Sequence, residues 1–222
     1  SERTPVTGVL ARNGSVVGVR AAQGEIACEV VVNCAGMWAR QLGEHNGIVI
    51  PNQAAEHYYL ITEPIAGVTK QLPVLEDPSV YAYYREEGGG MMVGLFERDC
   101  KPWNVGRIPD DFSFGDLPPD WERLTPFLEN AMRRVPATLD VGIRKFFCGP
   151  ESFTPDLAPV VGEAPELCNY FVAAGLNSVG IITGGGVGRV LAHWIVNGAA
   201  DVDVTAIHID RFQRYQCNPE YR

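Results

Sequence analysis

The chain has 222 residues, 46% of them hydrophobic, and a formal charge of −9. That length allows one large domain or two small ones, with enough apolar side chains for a core. The acidic balance argues against nucleic acid or an anionic membrane as partner, and no apolar run reaches the length that spans a bilayer.

Residues 5 to 32 read as a meander. Val6 to Leu10 alternates, Arg12-Asn13-Gly14 supplies a turn, Val16 to Ala21 is a second strand, and Gly24 turns the chain into Glu25 to Val32. The run Val30 to Val32 then meets Asn33-Cys34-Ala35-Gly36, followed by Met37 to Leu42, which reads as strand, close turn, helix. Small residues at 35 and 36 leave room for a ligand against the backbone; an ordinary strand-to-helix turn accounts for them too.

Residues 50 to 100 change character. Ala55 to Thr62, Tyr81 to Arg85 and Met91 to Phe96 read as strands, and Gly88 to Gly90 makes the hairpin between the last two. Short connections predict antiparallel pairing. Residues 99 to 120, rich in Pro, Asp and aromatics, read as a long loop. Helical spacing of Leu124, Phe127, Leu128, Ala131 and Val135 predicts a helix over 121–135, capped by Asp120. Val141 to Cys148 reads as a strand. Cys28, Cys34 and Cys148 lie in or beside apolar strands and are expected to be buried, reduced thiols. No CxxC pair, metal cluster or Ser-His-Asp set stands out.

The segment 170–188 is the most informative. Tyr170 to Ala174 is an apolar run of strand length, Gly175 to Ser178 a turn, and Ile181, Val187, Val190, Leu191, Trp194 and Ile195 have helical spacing. Gly198 stands where a left-handed closing residue is expected. A helix start offers free N–H groups and positive potential to an electron-rich ligand. Glycines at 184, 185, 186 and 188 cost a helix roughly 1 kcal/mol each against alanine. Two readings are open: close approach of a flat ligand, or tight packing of the helix on its strand.

The preceding residues carry a resemblance. Gly149-Pro-Glu-Ser-Phe-Thr-Pro-Asp156 and Pro159-Val-Val-Gly-Glu-Ala-Pro165 resemble the C-terminal signature of FAD-dependent amine oxidoreductases of the D-amino-acid oxidase superfamily. Cys148 to Pro165, Asn177-Ser178, Val31 to Ala39 and Glu56 to Thr62 resemble its sarcosine and dimethylglycine dehydrogenase group, in one order along nearly the whole chain.

The resemblance implies an α/β fold. It would be the C-terminal part of a glutathione-reductase-type FAD-binding domain, residues 1–50 and 149–222, with an inserted, mainly antiparallel substrate-binding domain at 51–148. It implies FAD, with Ala35 and Gly36 against the adenosine diphosphate and Gly175, Leu176, Asn177, Ser178, Val179, Gly180 and Ile181 against the flavin. Tyr59 and His57, two apart on one strand, would face the substrate. Arg85, at the end of a Tyr-rich strand, is a candidate from its own chemistry, since an Arg fork matches a carboxylate; satisfied strand residues and a solvated Arg beside Glu86 and Glu87 are the plainer alternatives. Asp156 reads as a loop staple.

The implied activity is oxidation of an N-methylated amino acid, sarcosine or dimethylglycine, in a bacterial cytoplasm or mitochondrial matrix. An electron-transfer flavoprotein would take the electrons, and the acidic stretch Asp110, Asp111, Asp116 and Asp120 could dock it, though a solvated loop is the plainer reading. Several family features are absent from the sequence: the Gly-x-Gly-x-x-Gly strand, the flavin-linking His and the tetrahydrofolate-binding module. The chain lacks an initiator Met and reads as part of a longer one. A non-catalytic relative, of the pyruvate dehydrogenase phosphatase regulatory subunit type, and an inactive fragment are the alternatives.

Overall fold

Asn13 and Gly14, at φ of +52° and +79°, close a two-residue turn between β1 (Val6–Arg12) and β2 (Ser15–Ala21). Both positions need a left-handed backbone, which Asn and Gly adopt at little cost. The structure, a computed structural model, describes residues 2–221. It divides into two compact units.

The first unit holds the described residues up to Ala54, Asn104–Asp110, and those from Glu151 on. β1 and β2 pair antiparallel, and β3 (Gly24–Ala27) adds on the far side of β2. The strand expected over 25–32 is in fact two. The chain leaves the meander after Ala27, and β4 (Val31–Asn33) pairs parallel with Tyr170 to Val172. A second three-stranded sheet results, in the order β10-β11-β4, numbering β5 to β9 as the strands of the second unit. β10 is Val160–Glu163 and β11 is Tyr170–Ala174. Val160, Tyr170, Val172 and Ala174 pack with Val9, Val16, Ala39, Ile50, Ile209 and Phe212 in one buried cluster.

Asn33, 1% exposed, organises the turn after β4. Its amide donates to Ala39 O (2.9 Å) and Tyr170 Oη (2.8 Å), and its Oδ1 accepts from Ala35 N (3.1 Å). Burial pushes the Tyr170 phenol up to about 12, so it remains a neutral partner. A 3-10 turn then leads into α1 (Ala39–Glu44). Gln41 on α1 ties down part of the long loop: it donates to Ile108 O (3.1 Å) and accepts from Ile108 N (2.6 Å).

The long helix α3 (Gly180–Asn197) follows β11 and closes on Gly198 at φ +81°, as expected. Val187, Leu191, Trp194 and Ile195 pack against Val161 and Phe171. Leu191 is its one buried residue. Ile181, expected on that apolar face, is fully exposed, as Ile182 nearly is. At 3.6 residues per turn, position 182 points away from the stripe formed by 187, 191 and 195, whereas 181 lies at the stripe's edge in the first turn, where no described residue covers it.

The second unit holds Ala55–Trp103 and Asp111–Pro150. Its sheet has the order β6-β7-β8-β5-β9. β5 is Gln53–Thr62, β7 Ala82–Glu87 and β8 Gly90–Leu95, joined antiparallel in the sense predicted. Tyr81 falls outside β7, because its φ of +54° breaks the strand. Gly88 and Gly89 make a second left-handed two-residue turn. β6 (Leu75–Asp77) is too short and polar to announce itself. β9 (Ile143–Phe153) runs five residues past the expected end at Cys148, so Glu151 to Phe153 are strand rather than loop.

α2 (Trp121–Arg134) is capped by Asp120, whose Oδ1 accepts from Arg123 N at 3.3 Å. Leu124, Leu128 and Ala131 bury against Tyr58, Leu60, Tyr84, Val93 and Leu95. Alternation along β5 puts Glu56, Tyr58 and Leu60 on that helix-covered face and His57 and Tyr59 on the other.

Candidate functional site

The first unit contains a cavity of about 510 Å³. Three chain segments and one helix face wall it. Val32, Cys34 and Gly36 come from β4 and its turn; Glu151 and Ser152 from the end of β9; Gly175 to Asn177 from the loop after β11. Gly180, Gly184, Val187, Gly188 and Leu191 form the inner side of α3.

The loop before α3 is held in an uncommon shape. Gly175, Asn177 and Ser178 have φ of +59°, +48° and +67°. Left-handed backbone at a non-Gly residue is sparsely populated and persists where neighbours determine it. Here they do. Asn177 Oδ1 accepts from Thr154 N (2.9 Å) and Thr154 Oγ1 (3.2 Å), while its amide donates to Gly175 O (2.5 Å). The Ser178 hydroxyl donates to the Glu151 carboxylate. Gly175 has no substitute, because a Cβ there would lie 2.5 Å from Thr154 Cγ2. Asp156 staples the next turn: it accepts from Arg211 Nε (2.7 Å) and Ala158 N (3.1 Å). Burial opposes its charge, but these bonds outweigh that and hold its carboxyl below the usual range.

α3 begins without a side-chain cap, since Val179 has none to offer. Its first turn therefore keeps backbone donors and positive potential beside the cavity. The glycines of α3 do not serve packing on its strand. A Cβ at 184, 185, 186 or 188 would meet no neighbouring atom within 4 Å beyond the helix's own backbone. Glycine costs helix stability at each, and nothing among the described residues requires it. What the glycines leave is space.

These features fit a flavin dinucleotide. The walls are mainly apolar, two glycines expose backbone at the turns (Gly36 at φ +55° and Gly175), the α3 start supplies donors, and Gly184 and Gly188 keep the helix surface bare. Of the expected cofactor residues, the cavity brings together Gly36, Gly175, Leu176, Asn177 and Gly180. Ala35, Ser178, Val179 and Ile181 lie outside its lining; Ser178 reaches it only through Glu151. Cys34, expected to be buried, is exposed and on the cavity wall, whereas Cys28 is half-buried and Cys148 buried. No two cysteines are bonded among the described residues, and no metal-binding cluster gathers there.

In the second unit, the uncovered face of the sheet carries the expected substrate residues. Tyr59 stacks on Phe147 at 4.8 Å, and His57 tilts against Phe96 at 5.1 Å. Tyr59, Gly94 and Tyr83 form one row across three strands. The Tyr83 ring lies over Gly94, where a Cβ would sit 1.9 Å from it. Arg85, in the next row with Met92 and Ile61, is half-exposed and bonded to Glu87 at 2.8 Å. That ion pair is exposed enough to exchange for a ligand carboxylate at little cost.

The helix-covered face of β5 hides a charge cluster that spacing did not announce. Arg123 donates through Nη2 to Glu56 (3.0 Å) and Tyr58 Oη (2.8 Å), and through Nη1 to Glu97 (3.0 Å) and Asp99 O (2.9 Å). The Tyr58 hydroxyl also donates to Glu56. Burial raises Glu97 above the usual carboxylate range, only partly opposed by Arg123. Cys148 is pushed up to about 11, first by burial. The cluster sits behind the strand that presents His57 and Tyr59.

The sequence pattern of FAD dependent oxidoreductases, the DAO family, matches residues 1–194. The chain belongs to this family. It is 40% identical over 216 residues to human mitochondrial sarcosine dehydrogenase, covering 95% of this chain and 23% of that protein. It is also 40% identical over 220 residues to 4-methylaminobutanoate oxidase (formaldehyde-forming) of Paenarthrobacter nicotinovorans, covering 99% and 27%. The chain thus spans about a quarter of the length of the curated relatives it matches. Among solved structures, L-proline dehydrogenase from P. horikoshii superposes with a TM-score of 0.79 at 26% identity, covering 95% of this chain and 54% of that one. This family member has a mixed α/β fold, and FAD is the family's cofactor. No helix among the described residues is long and apolar enough to cross a membrane.

Proposed function

We propose that the chain is the flavin- and substrate-facing part of an FAD-dependent oxidoreductase acting on an N-methylated amino acid such as sarcosine or dimethylglycine. The segments 1–50 and 149–222 belong to the FAD-binding part, and 51–148 to the substrate part. The observation that carries the reading is the glycine-bared wall of α3 beside an uncapped helix start: Gly184 and Gly188 line the cavity at a cost to the helix, with no packing reason. FAD bound there supplies a hydride acceptor for an N-methyl carbon.

The chain's own residues do the rest. Gly175 and Gly36 let the cofactor approach backbone, and the α3 start offsets negative charge on it. Ala35, Ser178, Val179 and Ile181 act at the edges of the same site. Tyr59, braced by Phe147, orients the amine or manages its proton, with His57 beside it. Arg85 exchanges Glu87 for the substrate carboxylate. An electron-transfer flavoprotein reoxidises the protein, and tetrahydrofolate enters only through a module outside these residues. The bacterial cytoplasm or the mitochondrial matrix suits that chemistry.

Anaerobic mixing of the FAD-loaded full-length protein with sarcosine, dimethylglycine or 4-methylaminobutanoate tests the reading. Bleaching of the flavin band by at least one is expected. A yellow protein that none of them reduces is the non-catalytic relative instead. The isolated 222-residue chain is expected to lose FAD on gel filtration, and flavin absorbance that stays with it shows that these residues bind FAD unaided.

A further inference from the structure

Asn52 lies just before β5, 1% exposed, and touches two walls of the cavity from behind. Its Nδ2 donates to Gly36 O at 3.0 Å and to Ser152 Oγ at 2.9 Å. Gly36 and Ser152 both line the cavity. The amide orientation is decided by Gly36: a carbonyl oxygen can only accept, so the group facing it must be the NH2. The same NH2 faces Ser152, whose oxygen must therefore accept. A hydroxyl that accepts keeps its own hydrogen to donate. Among the described residues the Ser152 hydroxyl has Asn52 as its one hydrogen-bond partner, and Ser152 lines the cavity.

The Asn52 Oδ1 is buried with no partner. A buried acceptor left unpaired costs about 1–3 kcal/mol, so the donor side of this amide is what the position keeps it for. The other polar side chains on the lining are engaged: Glu151 accepts from Ser178, and Asn177 is bound to Thr154 and Gly175. Ser152 is thus a directed donor in a mainly apolar space.

We propose that Ser152 donates a hydrogen bond to an acceptor atom of the bound cofactor, and that Asn52 is the positioning residue that aims it. This rests on the FAD reading of the cavity. The recognised chemistry is an acceptor-bearing edge of a flat ring system. Asn52 touches no ligand itself; it acts through Ser152 and through the Gly36 carbonyl.

The experiment uses FAD-loaded full-length protein and four proteins: wild type, Ser152→Ala, Ser152→Thr, and Asn52→Ala, with the double variant closing a cycle. Ser152→Ala is expected to weaken FAD binding roughly 3- to 10-fold, the worth of one hydrogen bond, and to shift the visible flavin band. Ser152→Thr, which keeps the hydroxyl, restores both. Asn52→Ala shifts the band in the same direction, and that shift disappears when Ser152 is already Ala. Thermal unfolding without FAD, read alongside, reports the structural contribution of each side chain. FAD affinity and band unchanged in Ser152→Ala overturns the assignment. So does an Asn52→Ala shift of equal size with and without the Ser152 hydroxyl. A wild-type protein that takes up no FAD removes the cofactor reading itself, a different result from a yellow protein indifferent to Ser152→Ala.

Discussion

Replacing Arg123 by Met separates charge from packing in the cluster behind β5. Met fills much of the same stem volume, so the apolar contacts survive. What disappears is the one guanidinium that faces two carboxylates whose side chains are 7% and 2% exposed, Glu56 and Glu97. Removing one partner of a buried ion pair costs about 3–5 kcal/mol, because the other is left uncompensated; here that is Glu97, since Glu56 keeps the Lys101 ammonium at 3.6 Å. With a urea slope of about 2 kcal/mol per molar, that is a fall of roughly 2 M in midpoint. The cost also depends on pH. Burial already raises the Glu97 carboxyl, and Arg123 opposes it; without Arg123 the carboxyl rises further. A raised carboxyl favours the fold below its unfolded value and loses that stability as pH rises through the folded one. The gap between variant and wild type should therefore narrow as pH falls from 8 towards 5. Urea unfolding followed by tryptophan fluorescence at several pH values measures it, with Trp121 packed on Phe146 in the same unit. Adding Glu97→Gln should recover part of the loss at pH 8. A loss below about 1 kcal/mol, or a gap that ignores pH, refutes the argument that this charge is buried and interdependent.

Two glycines of one segment should behave oppositely in the isolated chain. Gly175→Ala puts a Cβ 2.5 Å from Thr154 Cγ2 at a left-handed φ and should cost about 2 kcal/mol or more, whereas Gly185→Ala meets nothing and should gain up to about 1 kcal/mol; a thermal melt of each decides, and equal effects would contradict the structure. Tyr59→Phe in the full-length protein keeps the ring on Phe147 and should slow anaerobic flavin reduction roughly 10- to 1000-fold with flavin content unchanged. An unchanged rate and substrate dependence would return Tyr59 to the structure of the sheet.

What could be read from the sequence was local. Asn13-Gly14, Gly88-Gly89, the Asp120 cap and the Gly198 stop each follow from backbone chemistry within four residues, and all four are in place. Alternation on β5 correctly put His57 and Tyr59 on one face. Long-range pairings were out of reach. Nothing near Asn52 announces Ser152, 100 residues on. The split of 25–32 into β3 and β4 depends on β11, and the Glu56–Arg123–Glu97 cluster joins three separate stretches. The α3 glycines were legible as a signal, but only the space around them separated ligand approach from packing.

The parallel pairing of β4 with β11 has a consequence for synthesis. Asn33 bonds Tyr170 across 137 residues. A ribosome adding about 5–20 residues per second emits that interval over roughly 7–27 s. For that time β4 waits for β11, while the second unit's sheet and α2 are made almost entirely within the interval. The second unit can therefore fold first, as a loop already tethered at one end, and its closure shortens the search that brings Val31 to Tyr170. A nascent chain arrested only once β11 has emerged from the ribosome, and not one arrested before, should therefore show β4 and the turn after it protected from protease.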